Sequence, residues 1–352
     1  MADAASALAP VGAPAARGAW IVVGVAACAS LALAALALGP VPLSFGQVLA
    51  ALFGDEAEPA ATILREIRAP RVLLAVLVGG SLAISGAALQ GLLRNPLADP
   101  GLIGVTAGAT VGAVGAIVLG DLLIGELPDE ARRYVLPAAA FAGSSAATAF
   151  VFFAARGAGA LSVSVLILAG VAVTAIAGAF VGVMIYVSDD QQLRDLTFWT
   201  LGSLGGASWS AVGAAAVCAA PAWIFIASQA RALDLFQLGE RAAFHSGVPT
   251  DRVKRRTALA VALSVGAATA FAGPIGFIGL VAPHIARILA GPRHSMTLPF
   301  AALVGAALLL AADLFVRLIA PPEEPPIGVA TALIGGPFFL WLVARRARAP
   351  HA

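Results

Sequence analysis

The chain has 352 residues, 60% of them hydrophobic and only 11% charged, with a formal net charge of +2. A water-exposed domain carries about 25% charged residues, so this composition excludes a soluble globular protein of that size. The two cysteines, Cys28 and Cys218, fall inside apolar runs and support neither a disulfide framework nor a zinc site.

Residues 1–18 are rich in Ala and Pro without an apolar period and are expected to form a disordered cytoplasmic tail. A helix needs roughly 20 apolar residues to cross the hydrocarbon core. The runs that approach this length are, in chain order, Ala19–Leu38, Val72–Leu93, Gly104–Leu119, Val135–Ala155 and Val165–Val187, then Ala211–Ile226, Thr257–Ala272, Pro274–Leu289, Pro299–Ala320 and Ile327–Ala344. These ten runs predict an all-α, polytopic membrane protein whose transmembrane domain covers residues 19–345, followed by a short cytoplasmic tail at 346–352. The first run ends in Gly39-Pro40 and lacks a small-x-small cleavage site, so it reads as a retained helix rather than a secretory signal.

The charged residues orient these spans. The connection 230–256 carries Arg231, Arg241, Arg252, Lys254, Arg255 and Arg256, and Arg345, Arg346 and Arg348 follow the last span. The connections 121–133, 188–195 and 321–326 are acidic instead. Ten spans put both termini on the same side, and since basic connections face the cytoplasm, that side is expected to be the inner one.

Gly and Pro interrupt the apolar pattern at Arg94–Gly101 and at Ala272–Gly276. They follow the second and the seventh span, so the first is expected at the inner face and the second at the outer. Breaks at corresponding places predict a five-plus-five inverted repeat, and such breaks flank transport paths. Gly104, Gly108 and Gly112, and likewise Gly178 and Gly182, recur at four-residue spacing and would let helix backbones approach closely, within one subunit or between two.

Catalytic patterns are missing from the sequence. It contains no Gly-rich phosphate loop followed by Lys and Ser/Thr, and no His-Glu-x-x-His. His284 has no carboxylate in helical register and reads as a structural histidine. Within the spans Asp313 is the main ionisable candidate, about 21 Å along its helix, with Arg317 one turn further on and placed to pair with it. No proton relay emerges, so the energy for transport is expected from a partner. An ion-coupled secondary carrier and a membrane-embedded enzyme are the competing classes.

Several segments together carry a resemblance. They are Arg68-Ala69-Pro70-Arg71, Ser85–Gln90, Arg94–Gly104, Phe198–Gly206, Leu238-Gly239-Glu240, Gly273–His284, Ala312-Asp313 with Arg317, Pro326-Ile327-Gly328 and Gly335–Phe338. From about residue 20 to 345 the chain resembles the type II ABC importer permeases for iron-siderophore, haem and cobalamin uptake. The resemblance implies a bacterial inner-membrane subunit paired with a second copy of itself around a central path. It also implies two cytoplasmic ATPase subunits and a periplasmic substrate-binding protein. No cofactor is implied in this chain, since ATP and Mg belong to the ATPase; lipid surrounds it and no nucleic acid is involved. The stretches Arg94–Gly104 and Leu193–Trp209 are most similar to haem permeases, with siderophore and cobalamin as the alternative cargoes.

Site residues follow from the same resemblance. Arg68, Arg71 and Arg317 fall on the positions that dock the binding protein; the alternative is that they pair with nearby acids. Leu238, Gly239, Glu240, Ala242, Ala243 and Gly247 belong to an inner helix within 233–249, which either couples to the ATPase or lies on the membrane surface. Ser162, Val163 and Ser164 stand where a cobalamin permease carries a gate-like Ser-Thr-Ser; the alternative is a helix cap.

Overall fold

In the computed structural model the described residues are 14–53, 59–124, 127–156, 162–321 and 323–347. Most of the expected N-terminal tail, and residues 348–352 of the C-terminal one, lie outside them. The first helix, α1 (Pro14–Ala37), begins ahead of the expected Ala19. It is followed by α2 (Phe45–Phe53) and α3 (Pro59–Thr62), which passes through a π-helical turn (Ile63–Arg68) into α4 (Ala69–Leu93). A 3-10 turn (Pro100–Ile103) leads to α5 (Val105–Ile124), α6 (Asp129–Ala154), α7 (Val163–Val187) and α8 (Asp190–Leu201). The second half consists of α9 (Trp209–Ser228), α10 (Ala230–Gln237), α11 (Glu240–His245), α12 (Thr250–Ala272), α13 (Ile278–Ala290), α14 (His294–Ile319) and α15 (Ile327–Ala347).

Each of the ten apolar runs falls on one helix: α1, α4, α5, α6, α7, α9, α12, α13, α14 and α15. Among the described residues six stretches are long and apolar enough to cross a membrane, and shorter apolar stretches lie in α5, α13 and α15. The other helices read weakly in the sequence because they are short or amphipathic. Asp189 starts α8 by accepting from the N–H groups of Gln191 and Gln192, while Gln192 reaches back to the Asp189 N–H in a full capping box.

Helix α4 is the axis of the bundle. Nearly every residue from Val72 to Leu92 is buried, and α14, α12, α13 and α9 pack around it. Helix α7 is its opposite: among its residues only Leu166, Gly170 and Ala177 are buried, while Leu168, Val171, Ile176 and Val183 lie exposed. A helix apolar on every side and left uncovered by its own chain faces lipid or another subunit.

Glycine sets the closest approaches. A Cβ on Gly79 would overlap the Gly305 carbonyl, one on Gly86 the Gly279 carbonyl, and one on Gly108 the Gly143 carbonyl. The spacing of four therefore packs α5 on α6 through Gly108 and Gly112. Gly104 does something else, ending the 3-10 turn at φ +79°, and Gly178 and Gly182 face open space. Gly108→Leu is accordingly expected to destabilise the bundle by about 1–3 kcal/mol or more through overpacking. Gly178→Leu should leave the melting temperature of the single purified chain unchanged. Thermal unfolding in detergent compares the two.

The first Gly/Pro break begins at the basic connection, where Arg94 borders one cleft with Gly239 and Glu240, and the second packs on Gly202 and Gly328, next to the acidic connection 321–326. Gln90 donates to the carbonyls of Ala98 (3.2 Å) and Gly279 (3.3 Å), joining the first break to the residues just after the second. An N–H-bearing amide on buried α4 can serve both carbonyls at once, so the segments pack against each other inside the bundle.

Candidate docking surfaces and transport cavity

One end of the bundle, the acidic end, holds the three arginines singled out from sequence. They converge there, but none is presented to a partner: Arg68, Arg71 and Arg317 are all buried. The last turn of a helix leaves four carbonyls without intrahelical donors, and two of these guanidinium groups supply them to α1. Arg68 donates to the carbonyls of Leu36 (2.7 Å), Ala37 (2.9 Å) and Val41, and Arg317 to that of Ala35 (3.2 and 3.3 Å). Cations also suit the negative end of the helix dipole. Gly39 gives them room, since a Cβ there would stand 3.0 Å from Arg68 Nη2.

Arg71 clamps α4 to α14. Its Nε and Nη2 both lie 2.8 Å from Asp313 Oδ1, and its Nη1 donates to Glu324 Oε2 at 2.6 Å. Asp313 is 0% exposed. Arg317 Nε stands 3.0 Å from its other oxygen, an ion pair without hydrogen-bond alignment. The expectation that all three arginines remain available to a partner is therefore corrected: long side chains turned inward to carbonyls and a buried carboxylate. Glu324, with 32% of its side chain exposed, is the part of the cluster that solvent reaches most.

At the basic end the expected single helix is two. Gly239, at φ +111°, separates α10 from α11 in a conformation that side chains rarely adopt. The residues named for coupling divide in consequence. Ala243 is 0% exposed and belongs to the core, whereas Leu238 is 73% and Phe244 63% exposed. Glu240 does not stand free on a charged rim; it pairs with the buried Lys254 of α12. Gln237 donates to the Gly91 carbonyl at 2.9 Å, and Asp234 holds His294 Nδ1 at 2.7 Å, so α10 is tied to both α4 and α14. Arg94, Gly239, Glu240, Arg241, Phe244, His245 and Thr250 border a cleft of about 640 Å³ there. Sequence reasoning passed over Phe244, although its place one turn beyond Glu240 was visible.

Ser162 accepts from the Val165 N–H at 3.4 Å and caps α7, the alternative reading of the Ser162-Val163-Ser164 segment. His284 stacks edge-on against Phe338, centroids 5.9 Å apart, joining α13 to α15. Among the described residues no cluster of His, Cys, Asp and Glu is placed to hold a metal ion.

Asp99 was not singled out from sequence, being counted in a loop. Its Oδ1 accepts from the Gly101 N–H at 2.8 Å, and its Oδ2 lies 3.0 Å from where a Cβ on Gly279 would stand. Gly279 touches Gly86, about 10 Å along α4 from its basic end, and lies about 16 Å from the end of α13. Asp99, itself partly buried, thus lies at mid-depth along the bundle, on the wall of a cavity of about 780 Å³ between α5 and α7 that opens on the uncovered face of α7.

An all-helical bundle in which, among the described residues, six stretches are long and apolar enough to cross a membrane defines a multi-pass membrane protein. The comparisons with known proteins are specific. The FecCD transport family matches residues 27–345, and the chain belongs to that family as the transmembrane permease subunit of an ABC importer. It is 48% identical over 280 residues to the hemin transport system permease protein HmuU of Yersinia pestis, covering 80% of this chain and 82% of that one. It is 42% identical to the vitamin B12 import system permease protein BtuC of Salmonella typhi, covering 80% and 84% respectively. A metal-chelate type ABC transporter solved in an inward-facing conformation is similar in structure, with TM-score 0.81 and 30% identity over 93% of this chain and 99% of that one.

Proposed function

We propose that this permease carries haem, delivered by a binding protein at the acidic end and driven by ATPase subunits at the basic end. The observation that supports haem is the 48% identity to a hemin permease, against 42% to the vitamin B12 permeases. The charge distribution supports the orientation: the basic end, with both termini, faces the cytoplasm. The uncovered apolar face of α7 supports pairing with a second copy of the chain. On this reading Leu238 and Phe244 dock the ATPase, and a carboxylate of the binding protein reaches Arg71 by exchanging with Glu324. The Ser162–Ser164 segment, at the start of α7, narrows the path between the two copies.

The test is uptake into proteoliposomes holding the permease, its ATPase and its binding protein. ATP-dependent accumulation of haem, with cobalamin and ferric siderophores not accumulated, is the expected result. Accumulation of cobalamin or of a siderophore in preference to haem overturns the haem assignment.

A further inference from the structure

An ionisable side chain inside a membrane-spanning bundle is expensive, and persists where a partner ion or a water-filled cavity relieves it. Asp313 has its arginines. Asp99 has none: among the described residues no Lys, Arg or His forms an ion pair with it, and the Gly101 N–H is the hydrogen-bond donor it receives. What adjoins it is the cavity between α5 and α7.

The remaining polar side chains of that cavity are Thr106, Thr110, Thr174 and Thr200. Three of their hydroxyls donate back to their own helices: Thr110 to the Thr106 carbonyl (3.0 Å), Thr174 to that of Gly170 (2.9 Å) and Thr200 to that of Leu196 (2.8 Å). With their protons so committed, these threonines offer the cavity oxygen lone pairs and methyl groups. No cationic side chain lines it among the described residues. The wall is therefore apolar, rich in acceptors and negatively charged at one point.

We propose that this cavity is a water-filled stretch of the transport path and that Asp99 sets its charge. Cargo passes with its cationic or hydrogen-bond-donating groups toward this wall and its carboxylates turned away, weakly held throughout. The inference rests on the chain being an importer permease and not on which cargo it carries.

The test uses the full chain, assembled with its ATPase in proteoliposomes, with Cys28→Ser and Cys218→Ser and a single reporter, Thr174→Cys. Two water-soluble methanethiosulfonates, one bearing trimethylammonium and one sulfonate, probe the sign of the local charge. The expected result is that the reporter is labelled, with the cationic reagent favoured roughly tenfold beyond its ratio on a free thiol, as one nearby charge in a partly screened site gives. Asp99→Asn keeps an oxygen for the Gly101 N–H and should return the ratio to that of a free thiol; Asp99→Glu should preserve the preference. Labelling by neither reagent would show a face closed to water and overturn the path. A ratio that Asp99→Asn leaves unmoved would reduce Asp99 to a cap on the 3-10 turn. Should the Asn variant not fold, the ratio at Thr174→Cys against that on a free thiol decides the matter, equal ratios overturning the charge. Failure of haem uptake would leave these ratios unaffected and would concern the cargo alone.

Discussion

Arg71→Glu is expected to leave little folded permease in the membrane. Arg71 satisfies the fully buried Asp313 through two N–H groups at 2.8 Å and holds Glu324 through a third at 2.6 Å. Reversing its charge would bring three carboxylates together, with only Arg317 paired to any of them. Removing one partner of a buried ion pair costs about 3–5 kcal/mol, because the other charge stays desolvated. A domain's whole stability is about 5–15 kcal/mol. The measurement is membrane yield and melting temperature of the detergent-purified chain. Two further variants separate a structural clamp from a docking charge. Arg71→Met with Asp313→Leu removes both charges of the clamp and should recover part of the loss, since apolar replacement of a buried pair is often neutral, while Arg317 keeps only its carbonyl acceptors on α1. Glu324→Gln, at a position one-third exposed, should melt as wild type while weakening the intramolecular hold on Arg71. If Arg71→Glu inserts and melts like wild type yet fails to bind its partner, the clamp is wrong and the arginine is an available docking charge.

The contrast between what could and could not be read in advance has a physical basis. The ten apolar runs, each of which falls on one helix, were legible because lipid cannot satisfy backbone or charge, so a crossing needs an apolar run that no tertiary context replaces. Short helices such as α2 and α8 answer to no such requirement and blurred into loops. The arginines were legible in place but not in direction. Counting charges on a connection says which end they occupy; it does not say that Arg68 and Arg317 turn inward to the last carbonyls of α1. Asp99 was hidden for the reverse reason. Asn95-Pro96 and Pro100-Gly101 mark a helix break, and a break reads as a surface loop until Gln90 is seen joining it to Gly279 in the interior. The spacing of Gly108 and Gly112 promised close packing and delivers it, while the same spacing at Gly178 and Gly182 meets nothing within the chain. Periodicity names a face and leaves its neighbour open.

Leu238→Asp combined with Phe244→Asp should abolish uptake by detaching the ATPase. The two side chains are 73% and 63% exposed beside a cleft at the basic end of the bundle. Burying a Leu or Phe side chain against a partner contributes about 1.5–3 kcal/mol. Losing both, and placing a carboxylate in each pocket, should weaken association with the ATPase by at least about a hundredfold, since about 1.4 kcal/mol corresponds to a factor of ten. The isolated permease should melt unchanged, because neither side chain supports its core. Ala243→Trp gives a different signature. At 0% exposure Ala243 has no space for an indole, so that variant should lose stability before coupling can be measured. The connections Gln237 to Gly91, Asp234 to His294 and Glu240 to Lys254 show why a partner seated here would move more than a surface loop: each ties this segment to one of α4, α14 or α12. Co-purification of the complex, ATPase activity and melting of the free chain are the three measurements. An aspartate pair that co-purifies with the ATPase as wild type does would place the ATPase contact elsewhere on the basic end.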